Sequence, residues 1–338
     1  MAIRVDKKMA VWIFDRLVDA RIRMHYPYNL SKATPPQVPE NLPRSLTRGS
    51  KEHALFLFAL CYWMRGGIES DTATRQLAAL YDFAPNIFLP ECAAKMYPCV
   101  LRGLFRFAGL TFNADQIAHL WKANAKKLAE EWGGDPRTIF SGIDTYEEAC
   151  ARIQNKNGKG FGGFQEKMVS MIIYFFMDAG MIDRWNFPPP VDFHCLRIVF
   201  ASKIVRASTR DRTRNGFYTK PVLATVRELL REYCAERNVD PVILCEALWI
   251  HSRIMCAEHP GNMSMVSKTR KGRRTKITPV PRWTAAQARA YERTCRVCPI
   301  EDVCTFCIPS AHYYIGGMLQ MRCVRDAPPQ QSLFSILD

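Results

Sequence analysis

Lys159-Gly160-Phe161-Gly162-Gly163-Phe164-Gln165-Glu166-Lys167 sets three glycines around one phenylalanine and ahead of another. Its glycines predict a tight turn with backbone N–H groups pointing outward, and the residues after it predict a helix. A turn of this kind at a helix N-terminus is a ready site for a phosphate oxygen. Met168, Met171, Ile172, Phe175, Phe176 and Ala179 recur at helical spacing and give that helix a buried stripe. Pro188-Pro189-Pro190-Val191-Asp192-Phe193-His194 follows, a proline-stiffened loop that ends in one carboxylate. A glycine-rich αα turn with a helix-capping aspartate would also produce this stretch, because short glycine motifs are weak evidence alone.

The rest of the chain narrows the choice. Its 338 residues suffice for one large or two medium domains, and 48% hydrophobic residues can bury a sizeable core. A net charge of +15 points to a polyanionic partner, nucleic acid first and anionic membrane second. No apolar run approaches the roughly 20 residues needed to span a bilayer. The N-terminus lacks the apolar core of a secretion signal. The expectation is therefore an intracellular, cytoplasmic and nucleoid-associated protein without a membrane partner. In a reducing compartment its 13 cysteines are not a disulfide framework.

The helical period runs through most of the chain, and no alternating pattern of useful length appears, so the expected class is all-α. Residues 1–30 carry an amphipathic helix. Residues 31–48 are Pro-, Ser- and Asn-rich and read as a linker. Ala54–Met64 is apolar nearly all round and reads as a central helix. Ser70 or Asp71 is a candidate cap for the next helix, Asn113-Ala114-Asp115-Gln116 reads as a capping box, and Asp144 or Thr145 as another helix start. After Asp192 the pattern predicts a helix to about Val205, then helices over about 219–237 and 241–256. Between them lies a basic segment with Arg210, Arg212 and Arg214, readable as a solvated loop or as a phosphate-contacting surface.

Cys295-Arg296-Val297-Cys298-Pro299-Ile300-Glu301-Asp302-Val303-Cys304-Thr305-Phe306-Cys307 places four thiols in one short segment. Thiolates so spaced hold zinc or an iron–sulfur cluster, and spacing alone does not choose. Upstream, Arg270, Lys271, Arg273 and Arg274 make residues 257–294 a second basic segment, suited to lie on DNA or to remain a surface loop.

Taken in order, the glycine hairpin, the late aspartate, a helix ending in Cys256 and the C-x2-C-x5-C run resemble the helix-hairpin-helix DNA glycosylases, in their endonuclease III-like iron–sulfur branch. The resemblance covers most of residues 50–307. It implies two helical domains. A six-helix barrel with the helix-hairpin-helix would span 49–191. An iron–sulfur domain over 192–307 would carry the insertion 257–294 and receive the N-terminal helix and linker of 1–48. Residues 308–338 would form a tail. The resemblance further implies a [4Fe–4S] cluster on Cys256, Cys295, Cys298 and Cys304. A local site on Cys295, Cys298, Cys304 and Cys307, holding zinc or a cluster, is the rival. The chain departs from the family in the length of 257–294 between the first two ligands.

By the same resemblance, Gly160, Phe161, Gly162 and Gly163 grip double-stranded DNA, helped by the two basic segments. Asp192 is the catalytic carboxylate at the mouth of a base pocket. Phe164 and His194, near it in sequence, are candidates to line that pocket or are simply core residues. Bifunctional relatives carry a lysine two positions beyond the second hairpin glycine. Here that position is Phe164, and Lys167 lies one turn on. The expected activity is a DNA glycosylase that flips and hydrolyses off a damaged, mismatched or modified base, without associated lyase chemistry unless Lys167 supplies it. Its place would be base-excision repair or antiviral defence against modified foreign DNA. The alternative is a non-catalytic DNA- or RNA-binding protein stapled by a zinc or iron–sulfur site. In the tail, Gln330, Leu333 and Phe334 resemble the short peptides that bind a sliding clamp, or equally pack on the protein's own surface.

Overall fold

The computed structural model describes residues 2–31, 34–64, 68–110, 113–156, 158–208, 219–257, 266–268, 275–277, 285–305, 307–310 and 320–323. Its main elements are α-helices, and the chain is all-α in class. Six short strands, absent from the sequence reading, form three antiparallel pairs among the described residues. Strands of three or four residues are too short for a period of two to stand out. The described residues divide into two compact units.

One unit comprises residues 34–190 with 240–242. Its helices are α2 (Lys51–Trp63), α3 (Ser70–Phe83), α4 (Pro90–Ala93), α5 (Pro98–Phe107), α6 (Ala114–Glu131), α7 (Tyr146–Ile153) and α8 (Glu166–Asp178). Helix α2 is buried on every side from His53 to Trp63, which is why its sequence shows no polar face. Ser50 caps it, its hydroxyl accepting from the His53 N–H at 3.1 Å. Around it α3, α6 and α8 pack, and aromatic rings fill the centre. Phe58, Tyr62, Trp63, Phe105 and Trp121 meet edge-on or tilted at 5.0–6.0 Å within that core.

Two expected caps are corrected. Helix α3 starts after Glu69, without a side-chain cap from Ser70 or Asp71. Asn113 precedes α6 in the left-handed region (φ 57°) and makes no capping hydrogen bond. Thr145 does cap α7: its hydroxyl accepts from the Glu148 N–H at 3.3 Å and donates to the Glu148 carboxylate at 2.7 Å.

The other unit draws on both ends of the chain: the described residues of Met1–Ala33, Val191–Val239 and Ile243–Asp338. Strand β1 (Ala2–Val5) leads into α1 (Lys7–Ile22), which Asp6 caps. Next come α9 (Phe193–Ala201), β2 (Val205–Ser208), α10 (Lys220–Arg237), α11 (Pro241–Ile254), β3 (Val266–Lys268), β4 (Thr275–Ile277), α12 (Ala285–Arg293), β5 (Cys307–Ser310) and β6 (Gln320–Cys323). The helix after Asp192 thus stops at Ala201 rather than near Val205. The chain then pairs with its own start: Ala2 faces Ser208 and Val5 faces Val205. One core joins Ile13, Phe14 and Leu17 of α1 to Leu196 and Val199 of α9, Leu230 of α10 and Leu248 of α11. Polar ties reinforce it. Tyr233 donates to Asp15 at 2.8 Å, and Arg21 pairs with the nearly buried Glu246 at 2.5 Å.

Candidate functional site

The glycine hairpin lies between α7 and α8, and steric contact explains each glycine. A Cβ at Gly160 would stand 1.9 Å from the carbonyl oxygen of Gln154 and 2.6 Å from that of Ile153. A Cβ at Gly162 would stand 2.4 Å from Cδ2 of Leu120. Gly163 has φ 91°, a conformation that L side chains rarely adopt. The Phe161 N–H donates to the Ile153 carbonyl at 2.9 Å. Asn124, buried on α6, clasps the turn from the other side. Its Oδ1 accepts from the Gly162 N–H at 2.7 Å, and its Nδ2 donates to the Gly162 carbonyl at 2.9 Å.

These bonds correct the expectation of an outward-facing loop backbone. The N–H groups of Phe161 and Gly162 are spent inside the protein. Those of Gly160 and Gly163 engage no acceptor among the described residues, and they precede the orphan amides at the start of α8. Phe161 and Phe164 are fully buried, and Phe164 stacks on Phe58 at 4.9 Å. Both rings fill the core beneath the turn. Lys167 is half-buried on the first turn of α8. Burial pushes the Cys61 thiol well up, and the Lys167 charge opposes that rise.

Asp192 ends the Pro188–Pro190 loop and caps α9. Its Oδ1 accepts from the His194 N–H at 2.8 Å and the Cys195 N–H at 3.4 Å. It is 9% exposed and sits at the positive end of the helix. The His194 ring lies 3.9 Å from that of Phe193, and its Nδ1 is 3.1 Å from the Ser252 hydroxyl. One helical turn beyond Phe193, Arg197 is 2% exposed. Its guanidinium lies 5.2 Å over the Phe193 ring and donates to the Ser252 carbonyl at 3.5 Å. Burial lowers its pKa, while Cys256 and then Asp192 act in the opposite direction. Arg197 is a residue the sequence reading missed. The available signal was an arginine set in the otherwise apolar run Leu196–Ala201.

Cys256, at the end of α11, meets the C-x2-C-x5-C segment. Cys304 packs partly buried against Cys295 on one side and against Cys256 on the other. Cys298 feels the charges of Cys256, Cys304 and Cys295. Burial pushes the Cys256 thiol up to about 11 and Cys295 to about 12. The segment is pinned from both sides. Thr305 N–H donates to the Ala201 carbonyl at 2.8 Å, and the Tyr291 hydroxyl to Glu301 at 2.8 Å. His251 Nε2 lies 3.6 Å from the Cys298 sulfur. No group of three or more His, Cys, Asp or Glu side chains among the described residues is arranged to hold a single metal ion.

Cys307 opens β5, where its backbone pairs with Cys323; its side chain lies outside the described set. Arg210, Arg212, Arg214, Arg270, Lys271, Arg273 and Arg274 lie outside the described residues, as do Gln330, Leu333 and Phe334. No described helix is long and apolar enough to cross a membrane.

No family model matches the chain, and no curated protein does. Among solved structures it is similar to endonuclease III trapped as a covalent intermediate with DNA. The identity is 12%, over 75% of this chain and 89% of that one, with a TM-score of 0.47. A non-covalent endonuclease III–DNA complex is similar at 12% identity, over 75% and 88%, with the same score. A thermostable thymine-DNA glycosylase is similar at 13% identity, over 88% and 96%, again at 0.47.

Proposed function

We propose that the chain is a DNA glycosylase that extrudes a damaged, mismatched or modified base from duplex DNA and hydrolyses its N-glycosidic bond. Repair and defence against modified foreign DNA both lie within that reading. A base inside a duplex must leave the stack before its C1′ can be reached. As the bond to the base nitrogen lengthens, its electron pair leaves with the base and positive charge gathers on the sugar. The Asp192 carboxylate is the group assigned to stabilise that charge and to accept the proton of the attacking water. Its oxygen is already oriented by two backbone N–H donors, so no reorganisation is needed at that moment. The hairpin's remaining amides and the basic segments are assigned to the phosphates, which fix position without reading sequence.

The meeting of Cys256 with Cys295, Cys298 and Cys304 is the observation that carries this reading. Cys304 packs against the clusters that hold Cys256 and Cys295, and with Cys298 the two segments offer four thiols, the donor number a [4Fe–4S] cluster requires. Such a cluster would supply a structural staple and electron-transfer capacity. The buried phenylalanine at 164 offers no amine for a Schiff base, which favours simple hydrolysis over a coupled lyase step.

Two measurements test the proposal. Protein purified without oxygen should be brown, with a band near ~400 nm and about four irons. It should release free base from oligonucleotides carrying oxidised, deaminated, hydroxymethylated or glycosylated bases. Asp192→Asn should lower that release by about 10³-fold and leave folding nearly unchanged, because asparagine caps helices as well as aspartate does. Base release untouched by Asp192→Asn would remove the catalytic assignment. Colourless, zinc-loaded protein that frees no base would favour a zinc-stapled nucleic-acid binder.

A further inference from the structure

Helix α5 carries two apolar faces. Leu101 and Phe105 are fully buried against the core of their unit. On the other side Tyr97 is 73% exposed, Val100 47% and Phe107 71%, at i, i+3 and i+10 from the helix start. Phe83 at the end of α3 extends the face. It is 59% exposed, with its ring 4.8 Å from that of Phe107. Single exposed apolar residues are ordinary, but four on one helix and its neighbour, two of them in ring contact, are not. Gly103 lies within this span with nothing within 4 Å of where a Cβ would stand. A mid-helix glycine on an open surface costs about 1 kcal/mol relative to alanine, and no neighbour inside the protein calls for it.

Charge identifies the occupant. Lys95 is exposed, Lys122 lies 6.0 Å over the Tyr97 ring, and Arg102 and Arg106 reach Asp115 at 2.7 and 3.8 Å. Besides Asp115, Asp82 is the carboxylate beside these rings in sequence, next to Phe83. Arg102 and Arg106 share Asp115, and Lys95 and Lys122 add two further cations, in a chain of net charge +15. Ring faces about 15 Å apart along a helix, with Lys122 over the Tyr97 ring and Lys95 exposed two residues before it, match an unpaired nucleic-acid strand. Bases stack on the rings, and the backbone phosphates meet the cations.

We infer that the Phe83–Tyr97–Phe107 face is a second nucleic-acid site, one that holds unpaired strand. It stands independently of the glycosylase reading, since it uses none of those residues. The test measures fluorescence anisotropy of labelled oligothymidylate, oligouridylate and a blunt duplex with the full chain, beside Tyr97→Ala, Phe107→Ala and Lys95→Ala variants. The expected result is a loss of single-strand affinity of about fivefold or more for each aromatic variant. The lysine variant should show a smaller loss and a shallower salt dependence. Duplex affinity and base release should stay at wild-type values. The oligothymidylate and oligouridylate arms tell DNA from RNA. Unchanged single-strand affinity in both aromatic variants would overturn the site. So would an equal loss on duplex, or a wild-type dimer in light scattering that Phe107→Ala dissociates. The last outcome would make the face a contact between copies of the chain.

Discussion

The two units reach order by different routes. The hairpin unit is almost one continuous piece of chain, organised around a helix buried on all sides, and its characteristic turn is a backbone object. The cysteine-bearing unit is stitched from the two ends of the chain, with β1 on β2 and α1 against α9, α10 and α11, and its characteristic feature is a meeting of side chains. A backbone site is specified by what cannot be there, namely a Cβ. A side-chain site is specified by what must arrive there from far along the sequence. The two should fail differently when perturbed.

The largest effect should come from deleting residues 1–33. That removes Ile13, Phe14 and Leu17 from the core of the end-built unit. Calorimetry should then show one unfolding transition lost and the other, belonging to the hairpin unit, retained. Loss of both together would mean that the units are not separable. Next comes Gly160→Ala, which sets a methyl against backbone oxygens that cannot turn aside; about 3 kcal/mol of stability should vanish in urea titration. Gly162→Ala should cost less, because its obstacle is the movable Leu120 side chain.

A pH effect of similar size belongs to the hairpin unit. His53 is almost wholly buried, and burial, with Arg48 adding to it, lowers its pKa from 6.5 to about 4. The folded state resists protonating it while the unfolded chain does not. Its contribution is therefore present above pH 6.5 and is lost as pH falls toward 4. The loss is on the order of 3 kcal/mol. A His53→Gln variant should lack that part of the pH dependence. Smallest of the set, Asn124→Ala removes both bonds to Gly162 and leaves its buried N–H without that acceptor. About 2 kcal/mol is expected, with hydrogen exchange at Gly162 accelerated.

Much of this was legible in the sequence, because it was written locally. The apolar run of α2, the helix start at Thr145 and the all-helical class follow from period and cap chemistry. The glycines of the hairpin were legible as a turn, but not which amides face outward, since that depends on Ile153 and Asn124. Phe164 looked like a pocket residue because a single sequence cannot distinguish an aromatic beside a site from one beneath it. Arg197 and the partnership of Asn124 were missed for the same reason: each acts across a tertiary contact. The short strands escaped because pairing β1 with β2 is a property of two segments at once.

Asp192 holds its helix with one oxygen of the carboxylate that the proposed chemistry would use, and the three prolines before it leave its approach little torsional freedom. The carboxylate cannot swing away without uncapping α9, so its orientation is fixed when the chain folds rather than rediscovered at each turnover. Any solvent or strand that arrives there meets an electrostatic feature with a fixed heading, and the arriving molecule is the one that must align.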